Sequence, residues 1–161
     1  MSTTTWTTNS AAETQSLAEA LGRAAKPGDV LLLEGPLGAG KTCFTQGLAR
    51  GLDVKTPVKS PTFVLVTQHR GRIPLTHVDL YRIEGTHSLD DLGLEERGEA
   101  AVLAVEWGEK LATRLADGLV VALAEVGEGR RRLTVSALGA RGAEWLEAWT
   151  RAAAGRETAP R

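Results

Sequence analysis

The stretch that decides the fold runs from Val30 to Phe44 and reads VLLLEGPLGAGKTCF. Its middle, Gly35-Pro36-Leu37-Gly38-Ala39-Gly40-Lys41-Thr42, fits the pattern G-x-x-x-x-G-K-[ST]. Val30 to Leu33 is an unbroken apolar run, as expected of a strand buried on both faces of a parallel sheet. Beyond Lys41, the residues Phe44, Leu48 and Leu52 recur at helical spacing, and Gly51 stands where a helix can end. A glycine-rich turn that matched by chance would have no reason to sit between such a strand and such a helix. The glycines let successive N–H groups converge on an anion at a helix N-terminus, where the dipole also favours negative charge. Lys41 then reaches the outer phosphates and the Thr42 hydroxyl ligates magnesium.

A chain of 161 residues suits one domain. Residues 1–150 are read as that domain, and residues 151–161, which lose apolar periodicity, as a flexible tail. A net charge of −1 advertises no broad basic surface for nucleic acid or membrane. The single cysteine, Cys43, excludes an internal disulfide and suits a reducing compartment. No apolar run approaches the ~18 residues of a membrane span, and the polar start MSTTTWTTNS lacks a signal-peptide core. The expectation is a cytoplasmic protein.

Working outward from the loop, Ser10 and Glu13 form a capping box that opens a helix with the stripe Leu17, Ala18, Leu21 and Ala25. Lys26-Pro27-Gly28-Asp29 closes it as a turn, and Thr3 to Thr8 around Trp6 is a short strand. Two hairpins follow the phosphate-loop helix. One joins FVLVTQH to IPLTHVDLY through Arg70-Gly71-Arg72, the other joins LVVALAEV to RRLTVSAL through Gly127-Glu128-Gly129. Between them lie acidic helical turns over 87–99, a buried strand Ala101 to Val105, and a short helix over 110–115. A helix bearing Trp145 and Trp149 closes the chain. The fold class is therefore α/β, a single P-loop NTPase-like domain with a mixed, partly antiparallel sheet flanked by helices.

A phosphate loop needs a carboxylate for magnesium, and two stand at strand ends: Asp79 after PLTHV and Glu106 after VLAV. One can bind the metal or its waters and the other can orient or deprotonate an attacking water. Taken alone, each could equally be a solvated strand end. His77 and Asp79 spell H-x-D, but no further His or Cys is spaced to complete a zinc site, so His77 is read as orienting the strand end or Asp79. Ser60-Pro61-Thr62 lies on a loop after the phosphate-loop helix, where it can close on a γ-phosphate or be only a rigid turn. Cys43, just inside that helix, is read as a packed side chain rather than a reactive thiol. Arg130 to Arg132 reads first as a solvated charge run.

The only asparagine is Asn9, so the Asn-Lys-x-Asp element that selects guanine cannot exist and adenine is the default. Three readings follow: an ATPase, a small-molecule kinase using the same loop, and a nucleotide-gated binding module with incidental hydrolysis. The kinase signal is weak, because only the two hairpins carry arginines dense enough for a lid.

GPLGAGKT, VKSPTF, HVDLYR and VEWGE occur in that order after AETQSLAEAL, and together they resemble the TsaE (formerly YjeE) family of bacterial P-loop ATPases over roughly residues 10–140. The resemblance implies a magnesium-dependent ATPase with ATP and Mg2+ as its cofactors. It would be required for N6-threonylcarbamoyladenosine on transfer RNAs that read codons starting with A. The implied partners are TsaD and TsaB, whose complex it would cycle, with transfer RNA reached only through that complex and no membrane contact. Carried over residue by residue, Gly38, Ala39, Gly40, Lys41 and Thr42 hold the phosphates, Gly35 and Cys43 also stand at the nucleotide, and Thr42, Asp79 and Glu106 surround magnesium. Lys41, Asp79, Glu106 and Thr62 serve hydrolysis, with Thr62 on the switch loop. Trp107, Gly129 and Arg130 lie near the nucleotide, and Ala11 and Thr14 border the adenine. The chain departs from the family's pattern at Pro36, commonly Asp, and at Cys43, often Thr; neither position supplies a required group.

Overall fold

In the computed structural model, which describes residues 2–36, 38–58, 66–80, 100–107 and 116–157, the apolar run becomes β2 (Val30–Glu34) at the centre of a sheet. Around it the chain forms β1 (Ser2–Thr8), α1 (Ala11–Arg23), α2 (Lys41–Gly51), β3 (Val66–His69) and β4 (Leu75–Asp79). It continues through β5 (Val102–Glu106), β6 (Gly118–Gly127), β7 (Arg130–Leu138) and α3 (Gly139–Glu157). The strand order is β1-β7-β6-β2-β5-β4-β3. The inner strands β6, β2, β5 and β4 are parallel, whereas β1–β7, β7–β6 and β4–β3 are antiparallel. This is the expected mixed sheet.

Both faces of the inner strands are apolar, which is why they read as continuous runs rather than alternations. Leu31, Leu33, Val102 and Ala104 join Phe44, Leu48, Trp145 and Trp149 in one cluster. Leu32, Leu103, Val105, Val78 and Leu80 form a second.

The helices are held to one another by specific contacts. Ser10 caps α1 by accepting from Glu13 N at 3.1 Å, and Glu13 Oε2 returns to Asn9 N at 2.6 Å, one residue earlier than a standard capping box. α1 and α2 touch backbone to backbone: a Cβ on Gly47 would overlap Gln15, one on Gly51 would overlap Glu19, and one on Gly22 would overlap Leu48. Arg72 Nη2 donates to the carbonyls of Gly22 and Gly51, at 3.2 and 3.0 Å, tying the two helix ends together. α3 is latched to α1 by Trp145 Nε1 on Leu21 O at 3.1 Å and Trp149 Nε1 on Leu17 O at 2.9 Å. Trp149 also stacks against Trp6 of β1, with ring centroids 4.5 Å apart.

The helix passes the expected domain end at residue 150. α3 continues to Glu157 and Ala153 is buried, because the alanines around it are strong helix formers that still reach the core. Residues 158–161 lie outside the described residues, as do the segments expected to be helical over 87–99 and 110–115. Among the described residues no helix is long and apolar enough to cross a membrane.

At the end of the sheet opposite the phosphate loop, Asp29 accepts from Arg141 Nε and Nη2, both at 2.7 Å, and from Lys26 N at 2.7 Å. The bidentate pair staples the β2 entrance to α3 and holds the Arg141 guanidinium above its ordinary pKa through its bonds to Asp29. Asp29→Ala removes the bidentate acceptor of a partly buried guanidinium and is expected to cost about 2 kcal/mol, below the usual figure for a fully buried pair because Arg141 keeps Ala24 O, Glu144 and some water contact. Urea unfolding measures this; an unchanged midpoint would show that the staple contributes nothing.

Candidate functional site

The loop after β2 needs backbone shapes that only glycine adopts cheaply. Gly35 has φ 137° and any Cβ there would overlap Leu123 O; Gly40 has φ 103° and forms the left-handed N-cap of α2. Among the described residues no side chain caps this helix, which leaves the N–H groups of its first turn open to a ligand. Lys41 is buried beneath it. Its ammonium donates to Gly35 O and to Pro36 O, the latter at 3.2 Å, and lies 3.6 Å from the centroid of the Trp107 ring. Trp107 itself holds φ 64°, an uncommon conformation for a bulky residue, and that conformation turns the chain as it leaves β5.

The two strand-end carboxylates stand at the ends of neighbouring strands. Asp79 and Glu106 are register partners at the ends of the parallel pair β4–β5. Glu106 is nearly buried, and the Thr42 hydroxyl donates toward its two oxygens at 3.2 and 3.4 Å. Thr42, Glu106 and Asp79 offer hard oxygen donors, the kind magnesium takes, so the residues present fit that ion. His77 departs from expectation: its Nε2 bonds Glu106 Oε2 at 2.5 Å, rather than serving Asp79.

The other expected positions distribute around the loop. Ala39 is buried within it. Cys43 Sγ donates to Ala11 O at 3.5 Å, bringing the start of α1 beside the start of α2. Burial pushes the Cys43 thiol above its ordinary pKa, only partly opposed by Arg131, Gln15 and Arg50, in keeping with a packed rather than reactive cysteine. Thr14 is fully buried, its hydroxyl bonded to Thr8 Oγ1 at 2.6 Å and to Ser10 O at 3.2 Å; Ala11 is the exposed member of that pair. Gly129, with φ 73°, lies beside Asn9, a Cβ there standing 3.6 Å from Asn9 O. Leu37 and Ser60-Pro61-Thr62 lie outside the described residues.

Within the run Arg130 to Arg132, read first as solvated with phosphate contact the minority option, one residue stands apart. Arg130 is exposed, whereas Arg131 leans onto the loop, its Nε 3.3 Å from where a Cβ on Gly40 would stand. The signal was present in the alternation of β7: Leu133, Val135 and Ala137 point into the helix-side core, and Arg131 shares their face.

Comparison with known proteins follows this geometry. A family model described as "Threonylcarbamoyl adenosine biosynthesis protein TsaE" matches residues 8–133. A Bacillus subtilis protein named tRNA threonylcarbamoyladenosine biosynthesis protein TsaE is 41% identical over 140 residues, covering 84% of this chain and 87% of the relative. A Treponema pallidum protein of the same name is 38% identical over 129 residues, covering 79% and 96%. The crystal structure of Bacillus subtilis YdiB superposes with a TM-score of 0.79 at 35% identity, covering 93% of this chain and 95% of that one.

Proposed function

The chain belongs to the TsaE family of threonylcarbamoyl adenosine biosynthesis proteins, and from that premise we propose that it is a magnesium-dependent ATPase. Its hydrolysis cycle drives the TsaD–TsaB complex that forms the threonylcarbamoyl group on adenosine in transfer RNAs reading codons that start with A. It meets transfer RNA only through that complex, in the cytoplasm.

The observation that carries the reading is the meeting of Thr42 with Glu106, in register with Asp79, beside a loop that buries Lys41. The ammonium of Lys41 is held by carbonyls that a nucleotide's outer phosphates replace as stronger, charged acceptors. The first-turn N–H groups of α2 bind the same phosphates. Ala11 and Cys43 border the base, and Arg131 stands over Gly40 to meet phosphate or sugar. Thr42, Glu106 and Asp79 would hold magnesium, which when bound neutralises charge on the phosphate oxygens. Glu106 orients a water or takes its proton as the water oxygen attacks the γ-phosphorus; the bond to the β-phosphate oxygen breaks and ADP leaves. Thr62 is assigned to sensing the γ-phosphate.

The test is ATP turnover by the purified chain, alone and with its TsaB–TsaD pair. A slow rate that rises with the pair is the expected result. Phosphate appearing on a small-molecule acceptor in proportion to ADP would favour a kinase. Unchanged modification over many cycles by a hydrolysis-dead variant would favour a nucleotide-gated binding module.

A further inference from the structure

Glu106 has a second partner that the hydrolysis scheme does not use. His77 is completely buried on β4, on the same face as Leu75 and Asp79, with the small Ala104 as its register partner on β5. That small neighbour leaves room for the imidazole to reach diagonally to Glu106, where Nε2 meets Oε2 at 2.5 Å. Among the described residues the other ring nitrogen, Nδ1, has no hydrogen-bond partner.

These two facts together assign the proton. An ionised carboxylate only accepts, so Nε2 must carry the hydrogen toward Glu106. Nδ1 is then a bare lone pair, a cheaper orphan than a buried N–H would be. The geometry is that of an imidazole N–H donating to a carboxylate oxygen.

Resting on the ATPase reading, we propose that His77 is a positioning residue for Glu106. By engaging Oε2 from within the sheet, it fixes the carboxylate so that Oε1, 3.2 Å from the Thr42 hydroxyl, faces the loop. An apolar side chain of similar size would fill the space between the strands equally well. Only the carboxylate requires a donor at this depth. The logic is that of outer groups that orient metal ligands, whose loss typically lowers metal affinity or activity by about 10–100-fold.

The experiment compares the wild-type chain with His77→Gln, His77→Asn and His77→Leu. A glutamine amide nitrogen reaches about where Nε2 lies; an asparagine amide reaches only the Nδ1 position. For each we would measure ATP affinity in EDTA, ATP affinity in magnesium chloride, and kcat. The leucine and asparagine variants are expected to bind ATP in EDTA like the wild type, to lose about tenfold or more of the affinity gained with magnesium, and to lose kcat in parallel. The glutamine variant is expected to recover most of both. If the leucine variant fails to fold, glutamine against asparagine decides, since a packing role gives no reason for glutamine to surpass asparagine in the magnesium-linked gain. Equal behaviour of those two, or a full magnesium-linked gain in the leucine variant, would overturn the proposal. So would a wild-type chain with no such gain. A wild-type chain that shows the gain but never hydrolyses ATP would sink the ATPase reading and leave His77 to be judged on binding.

Discussion

Glu106→Gln is expected to lower ATP turnover about 10³-fold while leaving ADP affinity within about threefold of wild type. Glutamine keeps the shape of glutamate and can still meet the Thr42 hydroxyl through its carbonyl oxygen. It loses the charge proposed to hold magnesium and to orient or deprotonate water. The proposed phosphate grip rests on other groups, namely Lys41 and the first turn of α2, so diphosphate binding is expected to survive. Single-turnover and steady-state kinetics, with ADP titrations beside them, separate the two effects. A variant that turned ATP over at the normal rate would remove Glu106 from the chemistry. One that lost ADP binding as severely as turnover would make it a structural support of the loop.

Gly47→Val is expected to destabilise the fold by about 4 kcal/mol, a fall of roughly 10 °C in melting temperature for a chain of this size. The new Cβ would overlap Gln15 O and stand 2.7 Å from Gln15 Cα, so backbone rather than a flexible side chain would have to yield. The two backbones approach as closely at Gly22 and Gly51, so α1 cannot move away from Gly47 without also disturbing the Arg72 bonds to both helix ends. Gly127→Ala is the control. Its nearest neighbour is the flexible side chain of Arg130, and the change is expected to stay within about 0.5 kcal/mol. A Gly47→Val protein that melted with the wild type would mean the helices can separate freely.

The centre of the fold was legible because one local pattern demanded three consecutive elements, and β2, the glycine loop and α2 form where that pattern put them. Both hairpins were legible from their turn residues, which constrain only near neighbours. Strand order was not legible: β2 lies between β5 and β6, and nothing local in these uniformly apolar strands states which will pair. The partner of His77 was missed for the same reason. Residues two apart on one strand share a face but stand nearly 7 Å apart, whereas a long side chain on the adjacent strand comes closer. Thus Asp79 was the visible neighbour in sequence and Glu106 the real one in space. Arg131 could have been chosen over Arg130 from the alternation of β7, once that strand's inward face was counted from Leu133. The motifs placed Asp79 and Glu106 each at a strand end, but that those strands are parallel neighbours in register came only from the structure.

The pairing of β1 with β7, running from Ser2 opposite Ala137 to Thr8 opposite Arg131, also sets a timetable for synthesis. A ribosome releases β1 first, yet that strand has no partner until more than a hundred further residues have emerged. Its Trp6 waits longer still, for Trp149. Thr8, whose hydroxyl bonds Thr14 in α1, therefore gains its sheet partner only once β7 has been made. A nascent chain stalled before β7 therefore carries the glycine loop while β1, which leads into α1, still lacks its strand partner.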